Sequence, residues 1–512
     1  MLSIQKKLTK PFFVLLSLPA TAMGFALSVQ IAALSWILST QYGLDIHDVG
    51  LVWAAGPIAG ILGQVIIGII SDNVWFWGGR RRPFILIGGV LAALMLLALP
   101  NIDVIASGMG VGGILGVAIV VALTLDLAIN VSFNPTRSII ADVTPPGVKR
   151  TQGYTWMQTI SGTFGVLAYA VGAIWGNFAL IYFGAGLVLV FSVLPPLFVT
   201  EPRVLEATDE EENPDPDALE SAVLPAGEAV SATDDPTPPA RHETSLGEVV
   251  MAIEPLWGFF LYAVWAMTLR LAHIELGHYW VEVALLALTI GLIGRSLVRR
   301  ESGLSKREAG MVGFKKVLAA HSFTWVGVQT MFVYLFAYVQ DKQPGLSDGE
   351  VGSVINLSFL VFNAVAAILP AFVLEPITEK VGRVTTHTAC IAIMAVGYGG
   401  ILFTGFTPLA IYLWMVVAGV GWAATVSLPF AIMSQKVDQA RMGLYMGLFN
   451  LSVVLPQLVA SLGIGEVVSR AENKSVIFVI SAVSLAISAV AWTLVKEEEG
   501  PVEAAGAPSG AH

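Results

Sequence analysis

Cysteine is almost missing from this chain: Cys390 stands alone among 512 residues. One thiol excludes a disulfide framework and a cysteine-built metal centre, and no metal or other cofactor is expected. Charge is scarce too, at 12% of residues, where soluble domains carry about a quarter. No glycine-rich phosphate loop is followed by Lys and Ser or Thr, which argues against an ATP-driven step. No basic cluster with interleaved aromatics points to nucleic acid. His321, His387 and the other histidines lack triad spacing, and no stretch is left for a soluble catalytic domain, so an enzyme is not expected. What is plentiful is apolar: 55% of residues are hydrophobic and mean hydropathy is +0.76. The class is an all-α polytopic membrane protein whose partner is the lipid bilayer.

Windows of roughly 20 apolar residues place spans near 14–38, 50–70, 84–104, 111–140, 154–175 and 178–199, a six-helix half over 1–199. The basic start followed by an apolar run resembles a signal peptide, but the pattern continues to Leu38 and reads as an uncleaved first span. Residues 200–245 are rich in Pro, Asp, Glu and Ala and read as a disordered acidic linker. From 201 to 245 there are thirteen Asp and Glu against two Arg, so the net charge of −10 resides there. Two more apolar segments, 255–273 and 279–297, form an inserted hairpin within 246–300. A basic loop covers 301–320. Spans near 321–340, 350–374, 384–404, 408–432, 442–463 and 475–495 make a second half over 321–496, and 497–512 read as a disordered tail.

Of 27 Lys and Arg, 22 fall on one side of this arrangement. Both termini are therefore expected in the cytoplasm of a multi-pass protein of the inner or plasma membrane. A single crossing between the halves would put Lys380, Arg383 and Lys436 outside, so the insertion must cross an even number of times or lie on the surface. A crossing hairpin, giving 12 + 2 spans, is preferred; two interfacial helices are the alternative, because Arg270, His273, Glu275, His278 and Glu282 are awkward in lipid. The two His and two Glu read as caps of a short outer turn rather than a metal site.

The most costly residues lie in Leu125 to Arg137, LDLAINVSFNPTR. A carboxylate at a bilayer centre costs roughly 2.5–3.5 kcal/mol on insertion scales and usually faces a bundle interior or a water-filled path. Helical steps of four and eleven bring Asn130 and Arg137 near the face of Asp126. Burial disfavours a carboxylate's charged form and a close guanidinium favours it. Eleven residues span about 16 Å, too far for a direct pair unless Pro135 kinks the helix, and a structural ion pair with another cation is the competing explanation. At the inner end of the second span, SDNVWFWGGRR carries Asp72, Gly79, Arg80, Arg81 and then Arg82. It aligns at an offset of 303 with LEPITEKVGRV, matching Glu375, Gly382 and Arg383. Carboxylate and guanidinium groups there can pair as a cytoplasmic latch that breaks when two halves rock apart; the plainer explanation is ordinary inner-loop basicity. Duplicated parallel halves with a midplane site are one of the main transporter plans.

Four stretches then carry a family likeness: GPIAGILGQVIIGIISDNVWFWGGRRRPFILIGG at 56–89, LDLAINVSFNPTRSIIADV at 125–143, GVGWAATVSLPFAIMS at 419–434 and MGLYMGLFNLSVVLPQLVASLG at 442–463. Together they resemble the sucrose transporter branch of the major facilitator superfamily, within the glycoside-pentoside-hexuronide:cation symporters. The resemblance implies a major facilitator fold of two six-helix halves, here with an extra hairpin. It implies a proton-coupled symporter importing a glucoside, a disaccharide such as sucrose or maltose, driven by the proton gradient. Asp126 then matches the family's proton- and sugar-binding aspartate, Arg137 the arginine that follows it, and Gln30 a first-span glutamine. Ala33 stands where relatives often have Asn, and the segment after Gly327 diverges.

Sugars need many neutral hydrogen-bonding groups and an aromatic platform. The candidates are Gln30, Asn130, Asn134, Gln329, Asn450 and Gln457, with Trp325, Tyr334 or Trp422 as platform. In-bundle amides also serve as interhelical ties. A monomer is expected. An exporter or antiporter of a non-sugar solute on the same fold, or a non-transporting membrane sensor, stays open.

Overall fold

The computed structural model describes residues 3–60, 70, 74–110, 113–144, 148–202, 246–272, 274, 276–437 and 442–497. Most of the acidic linker, the tail beyond 497, the rest of the second span, Asp72, His273 and Glu275 lie outside the described residues, as do the side chains of Asn134 and Glu375.

The first half comprises α1 (Lys10–Thr40), α2 (Ile46–Trp53, helical again to 60), α3 (Arg82–Ala98), α4 (Ile114–Val143), α5 (Val148–Trp175) and α6 (Asn177–Phe198). The hairpin is α7 (Trp257–Leu271) and α8 (Trp280–Val298). The second half comprises α9 (Lys306–Lys342), α10 (Asp348–Leu369), α11 (Arg383–Thr404), α12 (Pro408–Ser434), α13 (Met442–Val459) and α14 (Val476–Trp492). Among the described residues, eleven helices are long and apolar enough to cross a membrane, and Val476–Trp492 is a shorter apolar one. No strand is present among them, in keeping with the all-α expectation.

The duplication appears in the packing. In the first half, the first helix lies on the fifth and sixth and the third on the fourth and sixth; in the second half, α9 lies on α13 and α14 and α11 on α12 and α14, the same pairs. The halves meet reciprocally, α5 against α10 and α2 against the turn that follows α13. One large buried cluster runs through both halves.

Local chemistry sets the helix ends. Ser305 accepts from the Glu308 amide while Glu308 reaches back to the Ser305 amide, and Ser347 and Glu350 repeat that box at the start of α10. The first box corrects the sequence reading: most of the expected basic loop 301–320 is helix, because α9 starts at Lys306. At about 1.5 Å per residue α9 is roughly 55 Å long, well beyond a hydrocarbon core of about 30 Å. Its projecting turns bury Lys315 and Lys316 against acids, with Lys315 Nζ 2.7 Å from Glu254 Oε2 and Lys316 Nζ 2.8 Å from Glu301 Oε1. The Lys315 hydrogen bond holds the Glu254 carboxyl below its ordinary value. That contribution is complete above about pH 4.3 and is lost as pH falls through the lower folded value.

Two helices widen into π-turns, Pro370–Leu374 after α10 and Ala460–Ile464 after α13. Such i→i+5 turns redirect backbone carbonyls and are frequent at functional positions.

The hairpin starts at the Glu254–Lys315 pair, and its first helix ends where Arg270 meets residues of both halves; α7 packs on α8 and α13, and α8 on α9. Its helices touch at Gly258, where an added Cβ would collide with Thr289. Gly258→Ala is therefore expected to cost about 1–3 kcal/mol by overpacking, whereas Gly277→Ala, at the open tip, is expected to leave the thermal unfolding midpoint in detergent unchanged. Equal midpoints for the two variants would contradict this packing.

Candidate functional site

Asp126 sits near the middle of α4 and is buried, 7% exposed. Its carboxylate accepts a hydrogen bond from Gln30 Nε2 of α1 at 2.8 Å. Gly56, on the continuation of α2, leaves room for it: a Cβ there would stand 3.2 Å from Asp126 Oδ2. Gln30 Oε1 is buried without a hydrogen-bond partner among the described atoms. An unsatisfied acceptor beside a carboxylate is costly unless the site changes state or takes a ligand.

The remaining polar positions of α4 separate. Asn130 Nδ2 donates to the Asp126 backbone carbonyl at 2.8 Å. Arg137 points outward, with its guanidinium 4.1 Å from the centre of the Phe133 ring. The structure thus brings Gln30, not Arg137, to the carboxylate, because eleven helical residues hold the arginine about 16 Å along the axis.

A second cluster belongs to the second half. His321, Trp325 and Gln329 follow one another on α9 at steps of four, so they share a face. Trp325 Nε1 donates to His321 Nε2 at 2.9 Å, and Gln457 Nε2 of α13 donates to Gln329 Oε1 at 3.1 Å. Asn450 lies two turns before Gln457 on the same face of α13 and is half-buried. The Trp422 indole is stacked on Phe362 at 5.6 Å, meets Trp325 edge-on at 5.9 Å, and donates to Asn363 Oδ1 at 3.2 Å. One face of this ring is covered by Phe362. Phe332 carries the cluster on to Phe359, which packs against Tyr169 of the first half.

Tyr334 does not join that cluster. It is buried, and its hydroxyl donates to the Ala460 and Ser461 carbonyls of the π-turn at 3.2 and 3.1 Å. The sequence offered it as an alternative platform to Trp325, but nine residues along the helix put it on the opposite face of α9. Sequence reading also passed over Asn363 and Gly56, and it assigned His321 no place. The His321–Trp325–Gln329 spacing was there to be read; Gly56 had no signal beyond a Gly-Pro pair.

The basic motif after the second span has a partner that its own loop did not disclose. The buried Glu201 carboxylate, just past α6, accepts from the backbone amides of Arg80, Arg81 and Arg82, each at 2.8 Å. Arg81 Nε pairs with Asp142 Oδ2 of α4 at 3.0 Å. In the second half, Glu497 just past α14 accepts from the Arg383 and Val384 amides at 2.9 and 2.7 Å, from a more exposed position. Gly79 and Gly382, matched by the duplication, share one physical role: a Cβ at either would crowd the capping carboxylate, and Gly382 also has φ +91°. A carboxylate at a helix start complements the dipole and satisfies orphan amides. These contacts join residues of the same half.

Polar contacts between the halves gather instead at the opposite end, here termed distal. Ser35 Oγ donates to the Val333 carbonyl at 2.9 Å, Trp36 Nε1 to the Asp348 carbonyl at 2.7 Å, and Asn356 Nδ2 to Asn177 Oδ1. His47 Nε2 stands 3.2 Å from Glu466 Oε2. At Gly50 the backbone of α2 comes so close to Ser461 that no side chain fits between them.

Duplicated six-helix halves closing on one another at one end agree with the family model for the Major Facilitator Superfamily, which matches residues 16–461. The chain belongs to the major facilitator superfamily. Among similar proteins, Sucrose transport protein SUC4 of Arabidopsis thaliana is 24% identical over 490 residues, covering 88% of this chain and 83% of that one. The General alpha-glucoside permease of Schizosaccharomyces pombe is 29% identical over 188 residues, about a third of each chain (34% and 34%). Among solved structures, the POT family transporter PepTSo matches with a TM-score of 0.63 at 15% identity over 95% of this chain and 98% of that one. The nucleoside transporter NupG matches with a TM-score of 0.60 at 12% identity over 94% and 99%. At those identities the structural likeness speaks to the fold. The superfamily member described here is thus a multi-pass membrane transporter and not an enzyme.

Proposed function

We propose that this superfamily member is a proton-coupled symporter that imports a glucoside, a disaccharide such as sucrose or maltose, by alternating access. The observation that carries the reading is the buried Asp126 carboxylate held by one neutral amide, Gln30. A carboxylate in that setting changes the charge of the site when it takes a proton. The Gln30 amide suits both states: Nε2 donates to the ionised carboxylate, and after rotation Oε1 accepts from the protonated one. The proton cancels the charge, the neutral site reorients across the bilayer, and proton loss on the inner side weakens the hold on sugar hydroxyls.

Gln30 and Asp126 form the first-half side of the sugar site, with Asn130 and Asn134 further along α4. In this reading Gln329, Gln457 and Asn450 complete it from the second half, and the Trp325–Trp422 pair supplies the aromatic platform. The relatives named as sucrose transport proteins and an alpha-glucoside permease support the sugar class. The excess of Lys and Arg at the loops on the side of the termini supports a cytoplasmic location for both ends, which makes the distal end external. The protein works as a monomer in this reading, with no cofactor beyond the gradient.

Reconstituted vesicles with an imposed pH gradient, acid outside, test the proposal. Labelled sucrose or maltose is expected to accumulate, and the sugar is expected to accelerate proton uptake reported by an internal dye. Sugar-independent proton flux, or efflux of a non-sugar solute against the gradient, would replace symport with the exporter reading.

A further inference from the structure

The α7–α8 hairpin contributes nothing to the Asp126 site, yet its tip arrives where the two halves close on each other. Arg270, in the last turn of α7, donates from Nη2 to the Leu462 carbonyl at 2.7 Å, and its Nη1 lies 3.4 Å from His47 Nδ1. Leu462 belongs to the second half and His47 to the first, so one guanidinium touches both. The π-turn Ala460–Ile464 makes this possible by turning carbonyls out of the helical ladder, two toward Tyr334 and one toward Arg270.

The surroundings are built for a cation. Besides Arg270, His47 faces Glu466 Oε2 at 3.2 Å and Asp48 Oδ1 at 4.0 Å, with Asp45 at the start of the same turn. An imidazole carrying its proton on Nε2 donates to Glu466 and accepts from Arg270 at Nδ1, so the three groups form one chain across the seam. Arg470 pairs with Glu466 from the other side and lies over the Tyr279 ring of the hairpin tip at 5.7 Å. Tyr262 of α7 fills the space left by Gly463. A planar, multiply donating guanidinium suits such a bridge, where lysine would reach one partner at a time.

We propose that the inserted hairpin is a third jaw of the distal gate, with Arg270 clasping His47 of the first half to the Leu462 carbonyl of the second and so holding that end shut. The inference needs alternating access between two halves but neither a sugar nor a proton as cargo. Its test is therefore run without substrate.

In a Cys390→Ser background, nitroxide labels are placed at Gln41 and Glu472, exposed distal positions in the first and second halves. Their separation is measured by pulsed spin resonance in lipid nanodiscs. R270Q is expected to enrich a longer-distance component at least fivefold over the parent, R270K less, and R299Q, at the other end of the hairpin, not at all. An R270Q distribution superimposable on the parent overturns the proposal. So does an equal shift in R299Q, which would mean that hairpin integrity rather than the clasp sets the equilibrium. Should R270Q not purify as monodisperse protein, His47→Ala removes the first-half partner from a half-exposed side chain and carries the same two outcomes.

Discussion

Asp126→Asn is expected to abolish accumulation of sugar against a gradient while leaving sugar exchange at equal concentrations measurable. The substitution keeps the size and a hydrogen-bonding oxygen for Gln30 but removes the charge that a proton would cancel, so the variant behaves as a permanently protonated carrier. For one coupled charge, 100 mV is worth about 2.3 kcal/mol, a roughly fiftyfold concentration ratio at ~1.4 kcal/mol per tenfold. That whole ratio should collapse to one. Uptake and counterflow of labelled disaccharide in the same vesicles separate the two activities. Gradient-driven accumulation at the parent level would place the proton on another group; loss of exchange as well would make Asp126 a binding residue without resolving its proton role, and a binding isotherm at fixed pH would then decide between them.

Glu201→Ala is expected to produce the largest loss of stability of any single change in the connections between helices. Three amides at the start of α3, that of Arg81 buried and those of Arg80 and Arg82 partly so, lose their shared acceptor, and hydrogen bonds to a charged group contribute about 1.5–3 kcal/mol each before coupling among them is counted. A fall of about 3 kcal/mol or more is expected, read as a lower unfolding midpoint in detergent, with Glu201→Gln falling about half as far because one oxygen still accepts. Glu497→Ala should cost less, since its carboxylate is more exposed and caps two amides. A Glu201 variant as stable as the parent would mean that water or a neighbouring group replaces the cap.

Much of the fold was legible because lipid imposes a length. Runs of about 20 apolar residues, the side preference of Lys and Arg, and the Gly79/Gly382 duplication together require two similar halves and an even insertion. Helix ends were less legible: α9 begins inside the expected basic loop because a capping box outweighs the polarity of Lys315 and Lys316, whose charges are taken up by Glu254 and Glu301. At the site, Asp126 stood out by cost and Gln30 by the family resemblance. Tyr334 was named for its ring alone, whereas its place nine residues from Trp325 turns it toward the Ala460 and Ser461 carbonyls. Glu201 was hidden for another reason: in sequence it is the first of thirteen acids in a solvated run, and what distinguishes it is a partner 120 residues away.

The hairpin is fixed to the second half through Glu254 and Lys315 at one end, through α13, and through Arg270 and the Leu462 carbonyl at its tip, and meets the first half at His47. In the proposed alternating-access cycle the two bodies are thus unequal, six helices against eight. The larger one also displays a wide lipid-facing wall, with Trp280, Val283, Leu286 and Ile290 all exposed. Viscous drag in a bilayer grows with the lipid a body must displace, so in that cycle the six-helix half, bearing Asp126, is expected to do more of the turning. In the proposed symport the protonated carboxylate of Asp126 then travels with the smaller body, and the Trp325–Trp422 pair stays with the larger.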